Sequence, residues 1–176
     1  MAFIDPKTGK RLLYWGSDSR PIKVQEMNAD WSDFKNGSSP KDIVSAGTES
    51  KYTNLIEGAW VDFDRGKYYL YYSGDNCCGI NASYAVLVAR SDSAVGPFTP
   101  LARYAANKNS VILERDSNWL APGHNSVFSD AKGNKWIAYH AIRIDKTNPQ
   151  KISSKREMLI KRLVYQKGWP AVHNKE

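Results

Sequence analysis

Apolar and aromatic residues run through this chain in short stretches that alternate with polar ones. Glycine, proline, Asp and Asn sit between the stretches, and no useful length keeps the spacing of an amphipathic helix. One pattern recurs three times. Its first copy is Phe3-Ile4-Asp5, then Gly9, then Arg11-Leu12-Leu13-Tyr14-Trp15. The second is Phe63-Asp64, Gly66 and Tyr68-Tyr69-Leu70-Tyr71-Tyr72, and the third is Phe128-Ser129-Asp130, Gly133 and Lys135-Trp136-Ile137-Ala138-Tyr139. Each joins an Asp-to-Gly turn to a run of β-favouring residues, the signature of a hairpin. A further strand is expected after each copy, at Ile22–Met27, Tyr84–Arg90 and Met158–Val164, and Gly96-Pro97-Phe98 predicts a turn into another short one. The fold class is all-β.

Recurrence of a four-stranded antiparallel unit points to a β-propeller, whose radial packing protects most strand edges. The turn glycines Gly9, Gly66 and Gly133 lie 57 and 67 residues apart, long for a blade but compatible with long loops. Blades are expected at about residues 1–50, 51–108 and 109–176, within a single partial propeller domain. A β-sandwich accounts for the alternation but not for the threefold recurrence. Closed propellers have about four to eight blades, so three imply a fragment, or a ring completed by another chain.

Composition narrows the functional classes. The chain of 176 residues carries 25 Lys and Arg against 18 Asp and Glu, a formal charge of +7. The charges are scattered, and the densest stretch, Lys151 to Lys167, alternates with apolar residues as an edge strand does, so no nucleic-acid tract is expected. No apolar run reaches membrane-span length, and Pro6, Lys7 and Lys10 interrupt any signal-peptide pattern. Ten Tyr and six Trp suit half-buried strands and surfaces that stack on sugars. Adjacent Cys77 and Cys78 cannot form a zinc knuckle or a CxxC pair, and either a vicinal disulfide or two thiols fits. Sequons at Asn36 and Asn81 permit glycosylation in a secretory eukaryote.

Three positions could carry chemistry. Glu57 interrupts the apolar strand Asn54–Val61, with Gly58 beside it allowing close backbone approach. Facing a propeller channel, it would be partly desolvated and kept protonated, as a general acid requires, although a solvated strand glutamate has the same spacing. His124 and Asn125, in Ala121-Pro122-Gly123-His124-Asn125-Ser126-Val127, enter the next blade at the matching point. His140, inside a strand, reads as structural. No Gly-x-Ser-x-Gly elbow, Cys–His pair or phosphate-cradling loop is present.

The stretches IEGAW, KYYLYYSGDNCCG, YAVLVARSDSAVGPF, APGHNSVFSDAKGNKWIAYHA and REMLIKRLVYQKGWPAV, in that order, resemble glycoside hydrolase family 43 over nearly the whole chain. The resemblance implies a five-bladed propeller and inverting hydrolysis by an Asp base, a second Asp and a Glu acid. It also implies secretion and a substrate rich in xylose or arabinose. It makes Glu57 the acid and His124 a channel residue near a bound calcium or water. Trp60, Arg156 and Asn125 become sugar-binding candidates. The base belongs to a first blade with no counterpart here, and the second Asp falls at or before Met1, Asp5 being a poor substitute. The expectation is therefore the last three of five blades, weakly active or inactive alone, acting on a xylo- or arabino-oligosaccharide once the ring is completed, including by self-association. The alternative is a non-catalytic carbohydrate-binding or self-assembling fragment.

Overall fold

The computed structural model describes residues 1–47, 52–106, 109–148 and 151–173. Thirteen strands, β1 to β13, and one 3-10 turn at Leu101–Arg103 make up its regular structure. The first sheet runs β1 (Ala2–Ile4), β2 (Arg11–Trp15), β3 (Ile22–Glu26), β4 (Lys41–Val44) in spatial order. The second runs β5 (Ile56–Asp64), β6 (Lys67–Gly74), β7 (Ala85–Ser91), β8 (Thr99–Pro100), and the third β10 (Trp119–Ser129), β11 (Lys135–Arg143), β12 (Glu157–Gln166), β13 (Trp169–Val172). Every pairing is antiparallel and each strand neighbours the next, so the architecture is three four-stranded propeller blades. The short β9 (Val111–Leu113) pairs with β7, which places this segment, just past residue 108, in the second sheet.

The predicted hairpin turns form for the expected local reasons. Asp5 accepts from the Gly9 amide and donates its own amide to Lys10, and Asp130 does the same with Gly133 and Asn134. Arg65 and Gly66 both take positive φ, the backbone a two-residue hairpin needs between paired Asp64 and Lys67.

The second sheet lies between the other two and is buried on both faces. Along β6 the side chains alternate: Tyr68, Leu70 and Tyr72 pack with Leu12, Tyr14, Ile22 and Val24 of the first sheet. Tyr69 and Tyr71 pack with Val127, Ile137 and Leu163 of the third. A half-buried ion pair, Lys135 Nζ to Asp62 at 2.7 and 2.8 Å, also ties β11 to β5. The end sheets show the one-sided pattern instead. On β12, Met158 is 75% exposed and Ile160 51%, whereas Leu163 is buried.

Candidate active site

Glu57 stands near the start of β5, opposite Ser73 on β6. Between Glu57 and Trp60 the register shifts, and Gly58 takes φ +63°, a backbone open to glycine at no cost. The neighbouring inner strand repeats the device. β10 shifts register on both sides of Gly123, with Ala121 at φ +53° and His124 at +51°. Left-handed backbone costs a non-glycine residue about 1–2 kcal/mol, a strain these two positions carry at the heart of the site. The two bulges meet: the His124 amide donates to the buried Ser73 hydroxyl at 2.7 Å, and the His124 ring lies beside Gly58.

The carboxylate is held at both oxygens. Tyr84 donates its hydroxyl to Oε1 at 2.6 Å, and Ser17 donates to Oε2 at 3.0 Å. Burial, and next the hydrogen bond to Glu57, push the Tyr84 hydroxyl far above its ordinary range, so it remains a donor. An open cleft of about 580 Å³ lies over this group, lined by Trp15, Ser17, Glu57, Trp60, His124 and Asn125 among others. Glu57 is its one acidic lining residue among those described. Asn125 is 4% exposed, and both its amide atoms are buried without a hydrogen-bond partner in the described protein.

Behind His124 lies a cluster whose members are scattered in sequence. The His124 and His140 rings stack at 5.9 Å, and His140 stacks on Tyr84 at 6.5 Å. Arg156 donates from Nε to His140 Nδ1, from Nη1 to the Cys77 carbonyl at 2.5 Å, and from Nη2 to the carbonyls of Ala121 and His140. Most of its donors are thus engaged by protein acceptors, and its evident work is to tie β10, β11 and the Cys77 loop together. Cys77 and Cys78 form a vicinal disulfide. The structure brings the candidates Glu57, Trp60, His124 and Asn125 to one cleft. Sequence reading missed Ser17 and Tyr84, which hold the Glu57 carboxylate, and the place of His140, because nothing local marks a tyrosine 27 residues away as a partner.

Among the described residues no group of three or more His, Cys, Asp or Glu is arranged to hold a metal ion. Calcium takes about six to eight oxygen ligands, and His124 offers a nitrogen. No described group of such side chains supplies that set around His124.

Burial, then the Arg156 guanidinium, hold the His140 imidazole down to about 4. An unfolded histidine titrates near about 6.5. The stabilisation is therefore full above pH 6.5 and is lost as pH falls toward 4, because the unfolded chain takes up a proton that the folded one refuses. The urea midpoint is expected to drop between pH 7 and pH 4.5, with a smaller drop in His140→Gln. Equal drops in both proteins would contradict this reading.

Three blades and two matched bulges thus set one carboxylate, gripped by two hydroxyl groups, at an open cleft. The family model described as glycosyl hydrolases family 43 matches residues 1–170, and the chain belongs to that family. It is 30% identical over 131 residues to a probable arabinan endo-1,5-alpha-L-arabinosidase A of Aspergillus fumigatus, covering 68% of this chain and 39% of the relative. It is 27% identical over 176 residues to the extracellular endo-alpha-(1->5)-L-arabinanase 1 of Bacillus subtilis, covering 96% of this chain and 50% of the relative. A crystal structure of an exo-1,5-alpha-L-arabinanase from a bovine ruminal metagenomic library superposes with a TM-score of 0.78 at 26% identity, covering 98% of this chain and 55% of that one. The chain spans about half the length of such proteins, or less.

Proposed function

We propose that this chain supplies the acid-bearing part of an inverting glycoside hydrolase that cleaves arabinose-containing polysaccharide. The observation that carries the proposal is Glu57, gripped by Tyr84 and Ser17 beside a tryptophan-lined cleft. Glu57 donates a proton to the leaving glycosidic oxygen. Trp60 and Trp15 offer flat apolar faces to the sugar ring, and Asn125 gives its unpartnered amide to a sugar hydroxyl after a small side-chain movement. The family relatives named as arabinanases favour arabinose over xylose, and the extracellular Bacillus relative supports secretion. No described helix is long and apolar enough to cross a membrane.

Inverting hydrolysis needs a second carboxylate about 6.5–9.5 Å from the first to activate water. Glu57 is the only acidic residue among the described lining residues, so the base comes from polypeptide that completes the ring. The outward faces of the end sheets suit that role, with Ile4 exposed on the first and Phe128, Met158 and Ile160 on the third.

Sugar binding by this chain tests the proposal without requiring turnover. Arabinotriose is expected to quench tryptophan fluorescence and to shift the amides of Glu57 and Gly58. Trp60→Ala is expected to weaken binding at least about five-fold, in line with loss of a stacked aromatic. Shifts confined to residues away from the cleft would overturn it.

A further inference from the structure

The end of the sheets opposite Glu57 carries a grouping that hydrolysis of a neutral sugar leaves unexplained. Strand register places it there. Glu57 pairs with Ser73 at one end of β5, and Asp64 pairs with Lys67 at the other, roughly 20 Å away at about 3.3 Å per residue. At that far end Arg90 lies over the Trp169 ring at 4.3 Å and the Tyr104 ring at 5.1 Å, and donates to the Gly168 carbonyl at 3.0 Å. Tyr104, by contrast, keeps 60% of its surface exposed. Beside these residues a groove of about 360 Å³ is lined by Lys67, Arg90, Asp92, Ser93, Thr99 and Tyr104 among others.

The charges in and around this groove do not cancel. Asp92 is its one acidic lining residue among those described and pairs with Lys67. The Lys7 ammonium reaches the groove's edge, where it donates to two neutral carbonyls, those of Gly66 at 3.2 Å and Asp92 at 3.4 Å. Arg90 likewise has a neutral carbonyl acceptor. Ser93 Oγ accepts from the Val95 amide at 3.3 Å and still has its own O–H to donate. An exposed aromatic ring, hydroxyl groups and three cations, Lys7, Lys67 and Arg90, against the single lining carboxylate of Asp92 match a sugar that carries a carboxylate: the ring stacks, and the guanidinium and ammonium meet the anion.

We propose that this groove binds a uronate unit of an acidic polysaccharide, with Tyr104 against the sugar ring and Arg90 and Lys67 at its carboxylate. The site would hold the protein on a charged glycan while the cleft at the other end engages a neutral arabinose chain. It gives the net charge of +7 a use that the cleft does not. A nucleic acid is disfavoured, because the groove offers one exposed aromatic and a local knot of cations rather than a basic stripe that tracks phosphates.

Trigalacturonate is the probe, titrated into the isotope-labelled chain at low salt and again at 0.5 M salt. Amides of Lys67, Gly96, Thr99 and Tyr104 are expected to shift, and affinity to fall with salt. Tyr104→Ala and Lys67→Gln should each weaken binding at least five-fold with the melting temperature unchanged, and Trp60→Ala should leave it unaltered. Absence of binding, indifference to both rim variants, equal response to arabinotriose at the same amides, or equal competition by a thymidine oligonucleotide would each overturn the proposal. The arabinotriose shifts at Glu57 and Gly58 report on the cleft separately, so failure of either reading is distinguishable from failure of the other.

Discussion

Glu57→Gln in the completed propeller lowers kcat/KM toward arabinan by about a hundred- to ten-thousand-fold, the usual contribution of a positioned general acid. Glutamine preserves the shape of the side chain and still accepts from Tyr84, so the melting temperature should hardly move. Leaving-group chemistry supplies the internal control. An aryl arabinofuranoside with an acidic phenol departs without full protonation, so its loss should be far smaller than that for arabinan. Equal losses on both substrates would show that Glu57 acts in some other way. The three-blade chain alone is expected to release little or no arabinose, because its cleft has one acidic residue among those described and inversion needs two. Turnover by this chain alone that Glu57→Gln abolishes would contradict that expectation.

Gly123→Ala is expected to be the most damaging single methyl in the site. A Cβ there would lie 2.1 Å from the Tyr84 ring, which is itself 1% exposed and bonded to Glu57. Forcing extra volume into a packed core costs about 1–3 kcal/mol, and this position should sit at the top of that range. For a chain of this size about 3 kcal/mol corresponds to a melting temperature lower by roughly 6–12 °C. Gly58→Ala makes the comparison. Its Cβ would meet ordinary contacts of 3.4–3.5 Å, so only the positive φ acts against it, at about 1–2 kcal/mol. Thermal melts of the two variants separate crowding from backbone strain, and a Gly58 variant that melts lower than the Gly123 variant would reverse the assignment.

Much of the fold was legible along the chain because its signals are local. Asp5, Asp64 and Asp130 with their following glycines mark hairpins whatever surrounds them, and alternation on β2 and β12 marks one-sided burial. β6 was legible as a strand but not as the middle of the stack. Lys-Tyr-Tyr-Leu-Tyr-Tyr reads the same whether one face or both are covered, and only packing against the first and third sheets buries both. Arg156 shows a similar limit in the site. It stands just before β12, where the resemblance made it a candidate, whereas its attachment to His140, Ala121 and Cys77 depends on three segments meeting.

By itself, then, the local pattern of the sequence determined the strands, their turns and the threefold recurrence, whereas Glu57 stood out through the family resemblance and not through its spacing. The first three follow from backbone preferences and side-chain period, which act over a few residues. Tertiary structure alone decided the grip of Tyr84 and Ser17 on Glu57, the paired bulges that set His124 beside Gly58, the vicinal disulfide, and the cation-rich groove at the opposite end. Apart from the disulfide, whose two cysteines are adjacent, each of these depends on segments far apart in the chain coming within hydrogen-bonding or van der Waals reach, and no local spacing records which segments will meet.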